Sequence, residues 1–84
     1  MPDVKQIPVS KMAEGQSGKV VEIQGGQNII GRLNALNIRP SKKITKVSSM
    51  LMRGPVTVQI GSAQVAMGFG MARRVMVEVV EAAT

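Results

Sequence analysis

The sequence predicts a mainly β fold: a small curled barrel of about five strands, with one helix inserted between the first and second. Three observations lead there. Alternating valines and isoleucines mark half-buried strands at 56–60 and 75–79. A single stretch, 27–38, switches to the helical period. The chain of 84 residues has room for one core, so 1–84 is read as one domain.

Residues 7–14 contain Pro8 and small polar side chains, and predict a lead-in with one short helical turn over 10–13. Gly15 and Gly18 then punctuate a turn. Residues 19–24 are β-branched enough for a strand, with Val21 and Ile23 on one face. Gly25-Gly26 breaks it. Ile29, Ile30, Leu33 and Leu36 recur at i, i+1, i+4 and i+7, the apolar stripe of an amphipathic helix. Asn37 suits a left-handed helix terminus, second only to glycine. Pro40 confirms the stop.

The second half reads as β structure. Residues 44–50 predict an imperfect strand, because Ile44 and Val47 stand three apart and alternation does not give that spacing. A bulge is expected there. Arg53-Gly54-Pro55 reads as a turn, and Val56, Val58 and Ile60 alternate cleanly. Gly61-Ser62 suits a two-residue hairpin. Ala63, Val65 and Met67 continue on the next strand, Gly68-Phe69-Gly70 breaks it, and 71–73 predict one helical turn. Val75, Val77 and Val79 close the chain's pattern. Short strands in so small a chain cannot build two full sheets. An SH3-like barrel buries one core and closes most of its edges.

Composition excludes several function classes. An apolar content of 44% argues against disorder. The chain has no cysteine, hence no disulfide or thiolate metal site, and no histidine, hence no imidazole base or ligand. Asp3, Glu14, Glu22, Glu78 and Glu81 are scattered, without a carboxylate pair. A self-contained enzyme is therefore not expected, and neither is a bound cofactor. The net charge of +6 favours acidic partners. No apolar run approaches the roughly 18 residues of a membrane span, and the first ten residues lack the apolar core of a signal peptide. A cytoplasmic protein without membrane insertion is expected.

Four blocks in this order resemble a known family. They are Gly15-x-x-Gly18-Lys19-Val20-Val21, Arg32-Leu33-x-x-Leu36-Asn37-Ile38-x-Pro40, Gly54-Pro55-Val56-x-Val58, and Val65-Ala66-Met67-Gly68-x-Gly70-Met71-Ala72-x-x-Val75-x-Val77. Together they resemble the ferrous-iron transport protein A (FeoA) family from about 9 to 79, the second and fourth blocks being the more specific. Three positions depart from the family pattern. Asn37 stands where glycine is usual, a mild change. Ser41 stands where glycine usually follows Pro40. A type II turn would need positive φ at Ser41, so another turn type is expected. Lys46 occupies a usually apolar position, which puts the register of that strand in question.

The resemblance implies an SH3-like barrel without a catalytic centre, acting in ferrous iron uptake. The implied partner is the cytoplasmic, GTP-binding part of the ferrous iron permease of the inner membrane. The candidate partner-binding residues are Arg32, Leu33 and Leu36 on the signature helix, with Arg39, Lys42 and Lys43 after it. An apolar groove with cations on its rim would suit an acidic protein surface. The plain alternative is a core stripe with solvated charges. Lys46 completes the densest basic cluster. Arg32, Arg39 or Arg53 could act as an arginine finger on the partner's GTPase. Self-association, at most weak, is left open.

Other motifs are weaker. Gly15-x-x-Gly18-Lys19 lacks the spacing of a phosphate loop and the hydroxyl residue after the lysine. Gly25-Gly26 at a helix start could hold an anion, though a plain turn explains it. Seven methionines suit adaptable core filling, with Met50 and Met52 as adaptable surface, better than a metal site. Two further functions compete: an SH3-like nucleic-acid-binding module and a detached barrel of a metal-dependent repressor. The single aromatic residue, Phe69, offers no stacking platform for bases.

Overall fold

The computed structural model describes residues 3–49 and 54–81. Six strands and two short helices follow one another. They are β1 (Asp3–Pro8), β2 (Ser17–Ile23), α1 (Gln27–Ala35), β3 (Lys43–Ser49), β4 (Val56–Ile60), β5 (Ala63–Met67), α2 (Phe69–Ala72) and β6 (Val75–Glu81). A 3₁₀ turn, Val9–Lys11, joins β1 to β2. The strands form one sheet in the order β1-β6-β2-β3-β4-β5. Every pairing is antiparallel. The mainly β, SH3-like architecture expected from the sequence is what the chain adopts.

One strand more is present than the sequence suggests. β1 falls partly in the expected lead-in, and with it counted the helix lies between the second and third strands. The reason is physical. β1 is an edge strand bonded only to β6, so it needs few inward side chains. Val4 and Ile7 stand three apart, and Val4 is exposed. The signal for this strand is its register with β6, Asp3 to Pro8 against Glu81 to Met76. Pro8 sits at its end, where a missing N–H is tolerated. The helical turn expected at 10–13 is the 3₁₀ turn, one residue earlier.

The strands bend around one apolar cluster. Val56, Val58 and Ile60 of β4 and Val75, Val77 and Val79 of β6 point inward, as their alternation requires. Val20, Ile44 and Met67 join them, and Leu33 of α1 enters from outside the sheet order. β2 departs from simple alternation. Its register against β6 shifts between Val20 and Glu22. Val21 is the extra residue, so Val20 is the fully buried member and Ile23 packs at the core's margin. Gly18 lies within β2 rather than in a preceding turn. A Cβ there would stand 2.9 Å from Val79 Cγ1 and 3.1 Å from the Glu78 carbonyl oxygen. Only glycine lets β2 approach β6 this closely. At 61–62 the hairpin is as expected: Ile60 pairs with Ala63, and Gly61 carries φ +60° as its first central residue.

β3 has the expected bulge, between Lys46 and Ser48. Its consequence differs from expectation. Val47 turns out to solvent, and the inward residue after Ile44 is Lys46, only 3% exposed. The lysine reaches the end of the 3₁₀ turn. Its Nζ donates to the carbonyl oxygens of Met12 (2.6 Å), Ser10 (3.3 Å) and Val9 (3.4 Å). Burial pushes its pKa below the ordinary lysine value, and the nearby Glu14 charge partly offsets this. A polar head among carbonyls thus occupies this inward position of β3.

Candidate partner-binding surface

The signature stretch from Arg32 to Lys43 is shaped by two turns. α1 ends in a Schellman motif. The Ile38 N–H donates to the Leu33 carbonyl (2.8 Å) and the Asn37 N–H to the Asn34 carbonyl (2.9 Å). Asn37 carries φ +70°, the left-handed conformation expected of it. Leu33 and Ile38, the two residues that such a motif brings into apolar contact, are both fully buried. Chain direction then reverses at 39–42. The Lys42 N–H donates to the Arg39 carbonyl (3.1 Å), with Pro40 as first central residue and Ser41 at φ +79°. This is the geometry of a type II turn. The expectation of another turn type is therefore corrected: serine takes the left-handed conformation because its flanks are pinned. The Ser41 N–H donates to the Val20 carbonyl and the Val20 N–H to the Lys42 carbonyl, both at 2.8 Å.

The six candidate residues separate by burial. Arg32, Leu36, Arg39 and Lys43 are exposed, and Lys42 is half-buried. Leu36, at 46% exposure, is one of the few large apolar side chains that face solvent. Leu33 has no exposed surface. The expectation that it contacts a partner is corrected: it anchors α1 in the core and holds the turn that presents Leu36. Lys46 likewise leaves the basic cluster, since its ammonium faces inward. Arg53, Met50 and Met52 lie outside the described residues. Of the other methionines, Met12 and Met67 are core residues.

Pairing adds a residue that sequence reading left out. Lys19 of β2 stands directly across from Lys43 of β3, and on its other side across from Glu78 of β6. These side chains, with Ser17 and Gly18, line a shallow cleft of about 340 Å³. Nothing in the sequence order places Lys19 beside Lys43; only the β2–β3 register does.

The glycine motif near the start of the chain does not build a phosphate loop. Gly15 sits in a turn and Gly18 in a strand, with no helix behind Lys19 to make a phosphate loop. Among the described residues no three acidic side chains come together as a metal site. Among the described residues no helix is long and apolar enough to cross a membrane.

The class these features define is a small SH3-like domain with an exposed leucine and a basic strip at the end of its helix. The FeoA domain model matches residues 7–79, and the chain belongs to that family. A crystal structure of an iron uptake regulatory protein (FeoA) is 37% identical, with a TM-score of 0.81, and the match covers 87% of this chain and 96% of that one. The NMR structure of a FeoA-like protein from Clostridium acetobutylicum shares the fold, with a TM-score of 0.81 at 16% identity over 95% of this chain and 93% of that one. A manganese-dependent transcriptional repressor contains a similar barrel. It is 19% identical with a TM-score of 0.78, and the match covers 98% of this chain but 44% of the repressor. No curated protein sequence matches significantly. Family membership assigns the chain to the accessory proteins of ferrous iron transport.

Proposed function

We propose that this protein is a cytoplasmic accessory of ferrous iron uptake that docks on the GTP-binding part of the membrane iron permease and regulates or assembles it. The supporting observation is Leu36. It stands exposed on a rigid Schellman turn, between Arg32 and Arg39 in the chain, with Lys43 across the next turn. A rigid apolar anchor with cations beside it loses little freedom on binding and favours an acidic partner. The iron is cargo of the permease in this reading and needs no ligand set on this chain.

The test is binding of the purified protein to the isolated cytoplasmic GTPase domain, with GTP hydrolysis followed in the same sample. Leu36→Asp should abolish binding while circular dichroism stays that of the native fold. Binding with altered hydrolysis would make the protein a regulator, and binding without it an assembly factor. Absence of binding to the GTPase domain and to the intact permease would refute the proposal. Nucleic acid would then be the next partner to try, although Phe69 is half-buried and no row of aromatics accompanies the basic residues.

A further inference from the structure

A second basic surface lies where α2 hands over to β6. Arg73 and Arg74 follow α2 directly, and both side chains are exposed. Their backbone is fixed. The Arg73 N–H donates to the Phe69 carbonyl (3.0 Å), the Arg74 N–H to the Met71 carbonyl (2.9 Å), and the Arg74 carbonyl accepts from the Gln24 N–H (2.7 Å). With Gln24 and Gly70 these arginines line a cleft of about 210 Å³. That is room enough for a phosphate group. The walls carry no carboxylate.

Among the described residues neither guanidinium has a hydrogen-bond or ion-pair partner. Arg74 lies against the Gly25-Gly26 turn: a Cβ placed on Gly25 would be 3.6 Å from its Nη1 and 3.2 Å from Ile29 Cδ1. Gly25 itself has φ +139°. The glycine thus leaves the guanidinium room at the cleft's edge. The first turn of α1, which this turn opens, holds no acidic residue. Arg73 also borders a neighbouring cleft with Lys11, so the positive region continues past it. Two unpaired guanidiniums on a fixed backbone, both lining one polar cleft, match the tetrahedral oxygens of a phosphate, which accepts paired N–H bonds.

We propose that the cleft of Gln24, Gly70, Arg73 and Arg74 binds a phosphate group, carried by a soluble phosphate compound or by a lipid headgroup. This inference is independent of the docking surface at Leu36. Its test is a ¹⁵N NMR titration of the full chain with pyrophosphate at constant ionic strength. A sedimentation arm uses phosphatidylcholine vesicles with and without phosphatidylglycerol. Pyrophosphate should shift the amides of Gln24, Gly70, Arg73 and Arg74 first. Arg73→Gln with Arg74→Gln should weaken the response about tenfold or more, as expected when charge-assisted bonds are lost. Lys19→Gln, which removes a charge outside the cleft, should weaken it far less. A localised pyrophosphate response without vesicle binding supports a soluble ligand. Vesicle binding that requires phosphatidylglycerol and is lost in the double variant supports a headgroup. Shifts spread over all basic residues, or weakened alike by Lys19→Gln and the arginine changes, would overturn the site. So would no response to either probe.

Discussion

Replacing Lys46 by methionine tests how the polar head in the core is held. Methionine keeps a long unbranched stem but cannot donate to the carbonyls of Met12, Ser10 and Val9. The 2.6 Å bond to Met12 is the strong one and the other two are long. Losing a charge-assisted bond and orphaning a buried carbonyl costs about 2–3 kcal/mol, while relieving the lysine's own desolvation returns roughly 1 kcal/mol. The net expectation is a loss of about 1–2 kcal/mol. For a domain of this size that lowers Tm by roughly 4–16 °C. Thermal unfolding followed by circular dichroism measures it, and hydrogen exchange should show faster opening of the 3₁₀ turn. The pH dependence has a definite sign. Burial lowers the folded-state pKa of Lys46 below 10.5, so the unfolded chain binds more protons in the window between the two values. Wild-type stability should therefore rise with pH through that window, relative to Lys46→Met. The neutral amine keeps two N–H groups for the carbonyls. A methionine variant as stable as wild type, with the same pH profile, would refute the idea that the lysine ties the 3₁₀ turn to β3.

Other outcomes follow from single positions. Ser41→Gly should raise stability by about 0.5–1 kcal/mol in chemical denaturation, because a left-handed serine is relieved and the gain exceeds the added chain entropy. Gly18→Ala should lower it by about 1–3 kcal/mol, since the new methyl group meets Val79 and the Glu78 carbonyl. Leu33→Ala should cost about 2–5 kcal/mol by emptying a fully buried site. Leu36→Asp should leave the unfolding free energy within about 0.5 kcal/mol of wild type, which separates a surface anchor from a core residue.

Much of the fold is legible because its signals are local. The valines of β4 and β6 alternate, and alternation is sufficient for a strand with one buried face. Asn37 and Pro40 end α1 by their own backbone preferences. β1 is illegible for the opposite reason: its inward residues are few, and only β6 specifies it. Val21 and Val47 are the extra residues of bulges that depend on the partner strand, while Lys46 faces inward by plain alternation with Ile44, against the preference of its charge. Ser41 shows the limit of conformational preference. Hydrogen bonds from both flanks to Val20 override a cost of about 1–2 kcal/mol. The candidate surface is readable in the same measure. The signature block names Arg32, Leu36, Arg39 and Lys43, but the split between buried Leu33 and exposed Leu36 depends on how the helix meets the sheet. Lys19 enters only through register.

The strand order also sets a schedule for making this protein. β6 lies between β1 and β2, although it is the last of the strands to leave the ribosome and they are the first. The hairpins β3–β4 and β4–β5 close over short loops and can form as they emerge. Among the described strands β1 pairs with β6 alone, so until Val75–Glu81 arrives its backbone groups remain bonded to water. Val77 and Val79 then fill the core in the same event that brings the first two strands together. Translation must therefore pass the final valines before the sheet is complete. A ribosome stalled just before them would carry a chain with β1 unpaired, one edge of β2 open and an unsealed core, the kind of species that chaperones recognise.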